Sequence, residues 1–126
     1  MPSAEDIRHS CEQFVAALST RDLDAIADLF ASDALVHDPV DSPAIEGVEK
    51  IRDFFAQSVD AVRTAKLSGP VHISGDCRHA AFGLEAVADL GNGLKVIEGV
   101  NEWTFDEAGR IATMNAYWGP TSLRDA

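Results

Sequence analysis

Residues 65–119 constrain this chain most: extended segments follow one another there, joined by turns too short to hold a helix. "AKLSGPVHIS" and "HAAFGLEAVADL" have strand-like patterning, and Gly91-Asn92-Gly93 supplies the positive-φ residues that a hairpin turn needs. "LKVIEGVNEWTF" is the longest strand candidate, and "DEAG" turns it back into "RIATMNAYWG". Parallel neighbours need long crossovers, so consecutive strands this close are expected to be antiparallel. Along the longest strand Ile97, Gly99, Asn101, Trp103 and Phe105 share one face. Val96, Glu98, Val100, Glu102 and Thr104 share the other, which carries both glutamates and reads as solvent-facing or interfacial.

The first half reads differently. Ser3 is a good N-cap, with Glu5 and Asp6 in the turn after it. Ile7, Cys11, Phe14, Val15 and Leu18 then recur at helical spacing as one apolar stripe. "STRD" breaks that helix, and Asp22 or Thr20 caps a short second one through Leu23, Ile26, Leu29 and Phe30. A short strand is expected over Ala34–His37, and a third helix after Gly47 with Val48, Ile51, Phe54, Phe55 and Val59 on one side. Three helices with one early strand, then a meander of about four long strands, specify a single α+β domain over 1–126. A curved antiparallel sheet then wraps the helices, and such an arrangement leaves a cone-shaped apolar pocket suited to a small molecule.

Charge narrows the partners. With 21 acidic against 10 basic residues the net charge is -11, which argues against nucleic acid and against anionic membranes. No apolar run approaches the roughly 20 residues of a membrane span, and the polar start "MPSAEDIRHS" does not read as an export signal. Cys11 and Cys77 form no CxxC pair and are expected to be two buried thiols in a cytoplasmic protein rather than a disulfide. His9, His37, His72 and His79 lack metal-ligand spacing, so no metal is expected.

Two residues are out of place in this pattern. Asp38 stands in "ALVHDPVDSPAIEG" where the apolar run stops, followed by Pro39, which favours an extended conformation for it. An Asp-Pro turn starter explains it, and so does a base aimed into the pocket. Asn101 lies among Ile97, Trp103 and Phe105, and a buried amide needs partners. It either satisfies neighbouring backbone or faces a ligand.

"FVAALSTRDLDAIADLFASDALVHDPV", "GVEKIRDFFAQSV", "LSGPV" and "FDEAGRIATMNAYW" together resemble, in the same order and over nearly the whole chain, the bacterial ketosteroid isomerases (steroid delta-isomerases). The resemblance implies the nuclear transport factor 2-like cone fold and a reaction without a cofactor. It implies that Asp38, in Val36-His37-Asp38-Pro39, is the general base that takes a proton beside a steroid ketone and returns it two carbons along. The family's oxyanion hole is built from a tyrosine and an aspartate, and this chain departs at both places. Phe14 stands at the tyrosine, and Asn101 at the aspartate. An asparagine carries N–H donors at any pH and can replace a protonated aspartic acid, whereas Phe14 has no donor. Phe55 likewise stands where some relatives have a second tyrosine.

The Trp103 indole, two residues from Asn101 on the same face, is a candidate substitute donor, and the Trp118 indole is expected beside Asp38 to orient its carboxylate. Phe30, Phe54, Phe55, Phe82, Leu84, Ile97, Met114 and Trp118 fall on inward parity or matching family positions and are expected to line the pocket. A steroid isomerase is thus the first expectation, for a small apolar polycyclic ketone. A non-catalytic module for steroid-like ligands and a related acid/base enzyme such as a polyketide cyclase are the alternatives. The family pairs two copies through the outer sheet face, so a homodimer is expected, with Val96, Val100 and Tyr117 on that face.

Overall fold

In the computed structural model, which describes residues 2–126, a reciprocal cap starts the first helix. The Ser3 hydroxyl accepts from the Asp6 N–H at 3.1 Å, and the Asp6 carboxylate accepts from the Ser3 N–H at 2.9 Å. Helix α1 (Ala4–Thr20) buries Ile7, Cys11, Phe14, Val15 and Leu18, the stripe expected from spacing, and closes on Arg21 in the left-handed region. Asp22, not Thr20, caps α2 (Leu23–Ala27) by accepting from the Ala25 N–H. That helix is shorter than its apolar spacing suggests, because Phe30 already pairs with Ile111 in a sheet. Helix α3 (Val48–Ala61) follows Gly47 as expected.

The strands are β1 (Phe30–His37), β2 (Ile45–Glu46), β3 (Val62–Leu67), β4 (His72–Ile73), β5 (His79–Asp89), β6 (Leu94–Phe105), β7 (Ile111–Tyr117) and β8 (Leu123–Asp125). Their order is β2-β1-β7-β6-β5-β3, with β4 paired to β5 and β8 to β6. The long β5–β6 hairpin runs in unbroken antiparallel register from His79↔Thr104 to Asp89↔Leu94. Its turn uses positive φ at Gly91 and Gly93, the conformation that glycine adopts at no steric cost. The meander is antiparallel throughout, as short turns require; β1 adds one parallel pairing, to β7. That pairing is possible because everything from α3 to β6 serves as its crossover. The whole is the curved, open α+β sheet packed on three helices that the segment order implies.

The parity of β6 holds from Glu98 onward: Asn101, Trp103 and Phe105 are buried, while Glu98, Val100 and Glu102 are exposed. Val96, expected on the exposed outer face, is instead buried, where β6 is flanked by β5 and β8 through the Val96↔Val87 and Val96↔Arg124 pairs. Trp103 is wholly buried and forms the hub of an aromatic cluster, with Phe14 edge-on at 5.0 Å and Phe82 at 4.9 Å. Phe14 in turn meets Phe55 edge-on at 5.6 Å. Such edge-to-face pairs add about 0.5–1.5 kcal/mol each beyond their buried area. Cys11 is buried and its thiol is pushed up to about 12 by desolvation, so it is inert at neutral pH. Cys77 is only half-buried, and both cysteines are free. Among the described residues no helix is long and apolar enough to cross a membrane.

Candidate active site

Between the concave face of β5–β7 and helices α1 and α3 lies a cavity of about 180 Å³, lined mostly by apolar side chains. It exists because the strands are sparing with side-chain volume at that end: Ala86 and Ala88 on β5, Gly99 on β6 and Ala116 on β7 all border it. Leu90, Val100 and Tyr117, each about half exposed, also border it.

Asp38 borders this cavity. It follows the last residue of β1, and the cis Asp38–Pro39 peptide opens a turn that is fastened on both sides. The Val40 N–H donates to the Ala116 carbonyl at 2.7 Å, which ties the turn to β7, and the Ser42 N–H and hydroxyl both donate to the Pro39 carbonyl. The Trp118 indole N–H, two residues past Ala116, donates to the Asp38 carboxylate at 2.7 Å. Burial raises the pKa of Asp38, and the indole N–H offsets part of that rise by favouring the charged form. The result is a carboxylate more basic than a solvated one and held by a single neutral donor.

The second polar group is Asn101, which is 5% exposed. Its side-chain oxygen accepts from the Trp103 indole N–H at 3.3 Å. An indole N–H can only donate, so it selects the amide oxygen and turns the NH2 group the other way. Among the described residues no protein acceptor takes that NH2, and no fully buried side-chain polar atom lacks a partner. The cavity is what the NH2 has left to face.

Of the residues singled out from sequence, Asp38, Asn101, Phe14, Phe54, Phe55, Leu84, Ile97 and Trp118 border the cavity. Phe30, Phe82, Trp103 and Met114 do not; all four are buried in the core beyond it. The physical reason is depth. Parity decides which face of a strand a side chain occupies, but helix α1 fills the far end of the concave surface and leaves only the near end open. The Trp103 indole is therefore no substitute donor to a ligand, since its one N–H is spent on Asn101. Sequence reasoning also passed over Leu18, Ser58, Ala86, Ala88, Gly99 and Ala116, which border the cavity too. Strand parity with Leu84 and Asn101 was a usable signal for Ala86, Ala88 and Gly99. Among the described residues no three His, Cys, Asp or Glu side chains converge as metal ligands would.

Residues 11–114 match the family of SnoaL-like domains. Over 118 residues, 94% of each chain, the sequence is 30% identical to a steroid delta-isomerase from Nocardioides simplex. The fold matches that of SalBIII with a TM-score of 0.90 and 25% identity, over the full length of both chains. SalBIII is an epoxide hydrolase/cyclase-like enzyme with a role in pyran ring formation in the polyether salinomycin.

Proposed function

The chain belongs to the SnoaL-like family, and on that premise we propose that it is a cofactor-independent isomerase that moves the double bond of a 3-oxo-5-ene steroid into conjugation. The observation that carries this reading is one buried carboxylate, Asp38, steadied by Trp118 at the edge of an apolar cavity that also holds the Asn101 amide. The Asp38 carboxylate takes a proton from the carbon between the ketone and the double bond. Electrons shift into a dienolate whose oxygen accepts from the Asn101 NH2. The protonated Asp38 then returns the same proton two carbons along, and the conjugated enone forms with nothing gained or lost. A cavity poor in water favours this, since a proton held on Asp38 is not exchanged away. Assembly as a homodimer through the outer sheet face belongs to the same reading and is supported by the exposed Val100 and Tyr117.

The test is the ultraviolet absorbance of the conjugated enone formed from a 5-ene-3-ketosteroid. Turnover no faster than that of Asp38→Asn overturns the proposal. The pH profile carries a second signature. Only ionised Asp38 is a base, so kcat/KM is expected to fall toward acid through a limb above the ordinary aspartate range, as its raised pKa requires.

Phe14 gives a further test. It borders the cavity with an edge toward Trp103, at the position where a phenol would add a donor. If the dienolate oxygen sits near Asn101, Phe14→Tyr raises kcat by up to about 10²-fold, the scale on which single oxyanion donors act. Unchanged kcat in a folded Phe14→Tyr places the oxygen elsewhere. The similarity to SalBIII favours a second reading, in which Asp38 performs acid/base chemistry on a polyketide-derived ketone or epoxide. A panel of steroid and polyether substrates separates the two.

A further inference from the structure

Strand β6 changes neighbours along one edge. It pairs with β7 as far as Val100↔Tyr117 and with β8 from Ile97↔Leu123 onward. Between those pairings the chain leaves β7 at Tyr117, runs through Trp118 and a short 3-10 turn over Pro120–Ser122, and returns as β8. Gly99 lies in the gap. A Cβ on Gly99 would sit 2.7 Å from the Tyr117 carbonyl oxygen and 3.2 Å from the Trp118 Cβ. The first distance is shorter than non-bonded atoms tolerate, and its partner is backbone rather than a movable side-chain end. The backbone of Gly99 is not in the positive-φ region, so its conformation does not call for glycine. Space does. A glycine inside a strand costs conformational entropy and leaves a packing gap, and a close approach by a second stretch of backbone is a recognised reason to keep one.

The approach occurs on the catalytic side of the sheet. Gly99 shares parity with Ile97 and Asn101, and all three border the cavity together with Trp118. We propose that Gly99 is a positioning residue: by carrying no side chain it lets the Tyr117–Trp118 backbone settle against β6, so that the Trp118 indole N–H reaches Asp38. The inference rests on the reading of Asp38 as the base only for its consequence in turnover; the placement of the carboxylate stands apart from it. Displacing the backbone by several tenths of an ångström is enough to spoil the geometry of a hydrogen bond now 2.7 Å long, since such constellations work within about 0.5 Å of their productive arrangement. Asp38 and Tyr117 are the cavity-lining residues that ionise, and the Tyr117 hydroxyl points away to Glu102 at 3.4 Å. The Trp118 indole is therefore the group whose loss Asp38 registers.

The experiment follows the Asp38 carboxyl carbon by NMR through a pH titration, with no substrate present. Trp118→Phe removes the donor and is expected to move the Asp38 titration to higher pH. Gly99→Ala is expected to move it in the same direction, and the double variant no further than Trp118→Phe alone. Gly69→Ala, where a Cβ meets nothing within 4 Å, leaves it unmoved. A folded Gly99→Ala that titrates like the unsubstituted protein overturns the inference. If Gly99→Ala does not fold, Gly99→Ala/Trp118→Gly, which removes one of the two obstructing groups and frees the other to move, is expected to restore folding; a double variant that stays unfolded overturns it as well. Enone formation by the unsubstituted protein is measured separately. A shifted titration in a protein that turns over no steroid defeats the isomerase reading and leaves Gly99 in its positioning role.

Discussion

Asp38→Asn is expected to lower kcat for enone formation by at least about 10²–10⁴-fold, the usual contribution of a positioned acid/base group, while making the folded protein more stable at neutral pH. The two effects have one cause. Burial raises the pKa of Asp38 above its value in the unfolded chain. Between those two values the folded state binds more protons than the unfolded state, so stability falls as pH rises through the window. Above it, the cost of keeping a carboxylate in an apolar cavity is present in full. Asparagine does not titrate, and its oxygen still accepts from Trp118, so the variant lacks this decline. Thermal midpoints of the two proteins are expected to separate as pH is raised from the acid range to neutrality, with Asp38→Asn the higher. Midpoints that run in parallel would contradict the account of Asp38, and unchanged turnover would remove it from the chemistry.

Asn101→Leu has the second large effect, and it strikes rate and stability in the same direction. If the oxyanion forms against Asn101 as proposed, loss of the NH2 removes its donor, for an expected fall of about 10²–10³-fold in kcat. It also strands the Trp103 indole N–H, which donates to the Asn101 oxygen inside a fully buried aromatic cluster. An unpartnered buried donor costs about 1–3 kcal/mol, readable by urea unfolding. The pattern distinguishes this residue from Asp38: one substitution costs activity and gains stability, the other costs both. Asn101→Leu with native stability would mean that the indole finds another acceptor. Native turnover would mean that the oxyanion forms away from residue 101.

Much of the scaffold was legible because its causes are local. The stripe on α1, the Ser3 cap and the Gly91–Gly93 turn each depend on residues a few positions apart, where periodicity and turn chemistry act directly. The end of α2 was less legible, since Phe30 joins a strand only because Ile111, far along the chain, is there to pair with it. The same limit divides the site. Strand parity put Asn101 and Trp103 on the concave face correctly, yet one borders the cavity and the other is core beneath it.

By itself the sequence determined the three helices, the antiparallel meander and the alternation of faces along β6, because chain geometry repeats every two or 3.6 residues regardless of what packs nearby; the short β2 and β8 and the early start of β1 at Phe30 depend on distant pairing partners and were not legible. Through family resemblance it also singled out Asp38 and the two departures opposite it, Phe14 and Asn101. Only the tertiary structure decided where the concave face stops being core and becomes cavity, which group the Trp103 N–H serves, and why residue 99 carries no side chain. Each of those depends on how closely segments distant in sequence approach one another, and α1 filling one end of the sheet and Trp118 crossing the other set those distances.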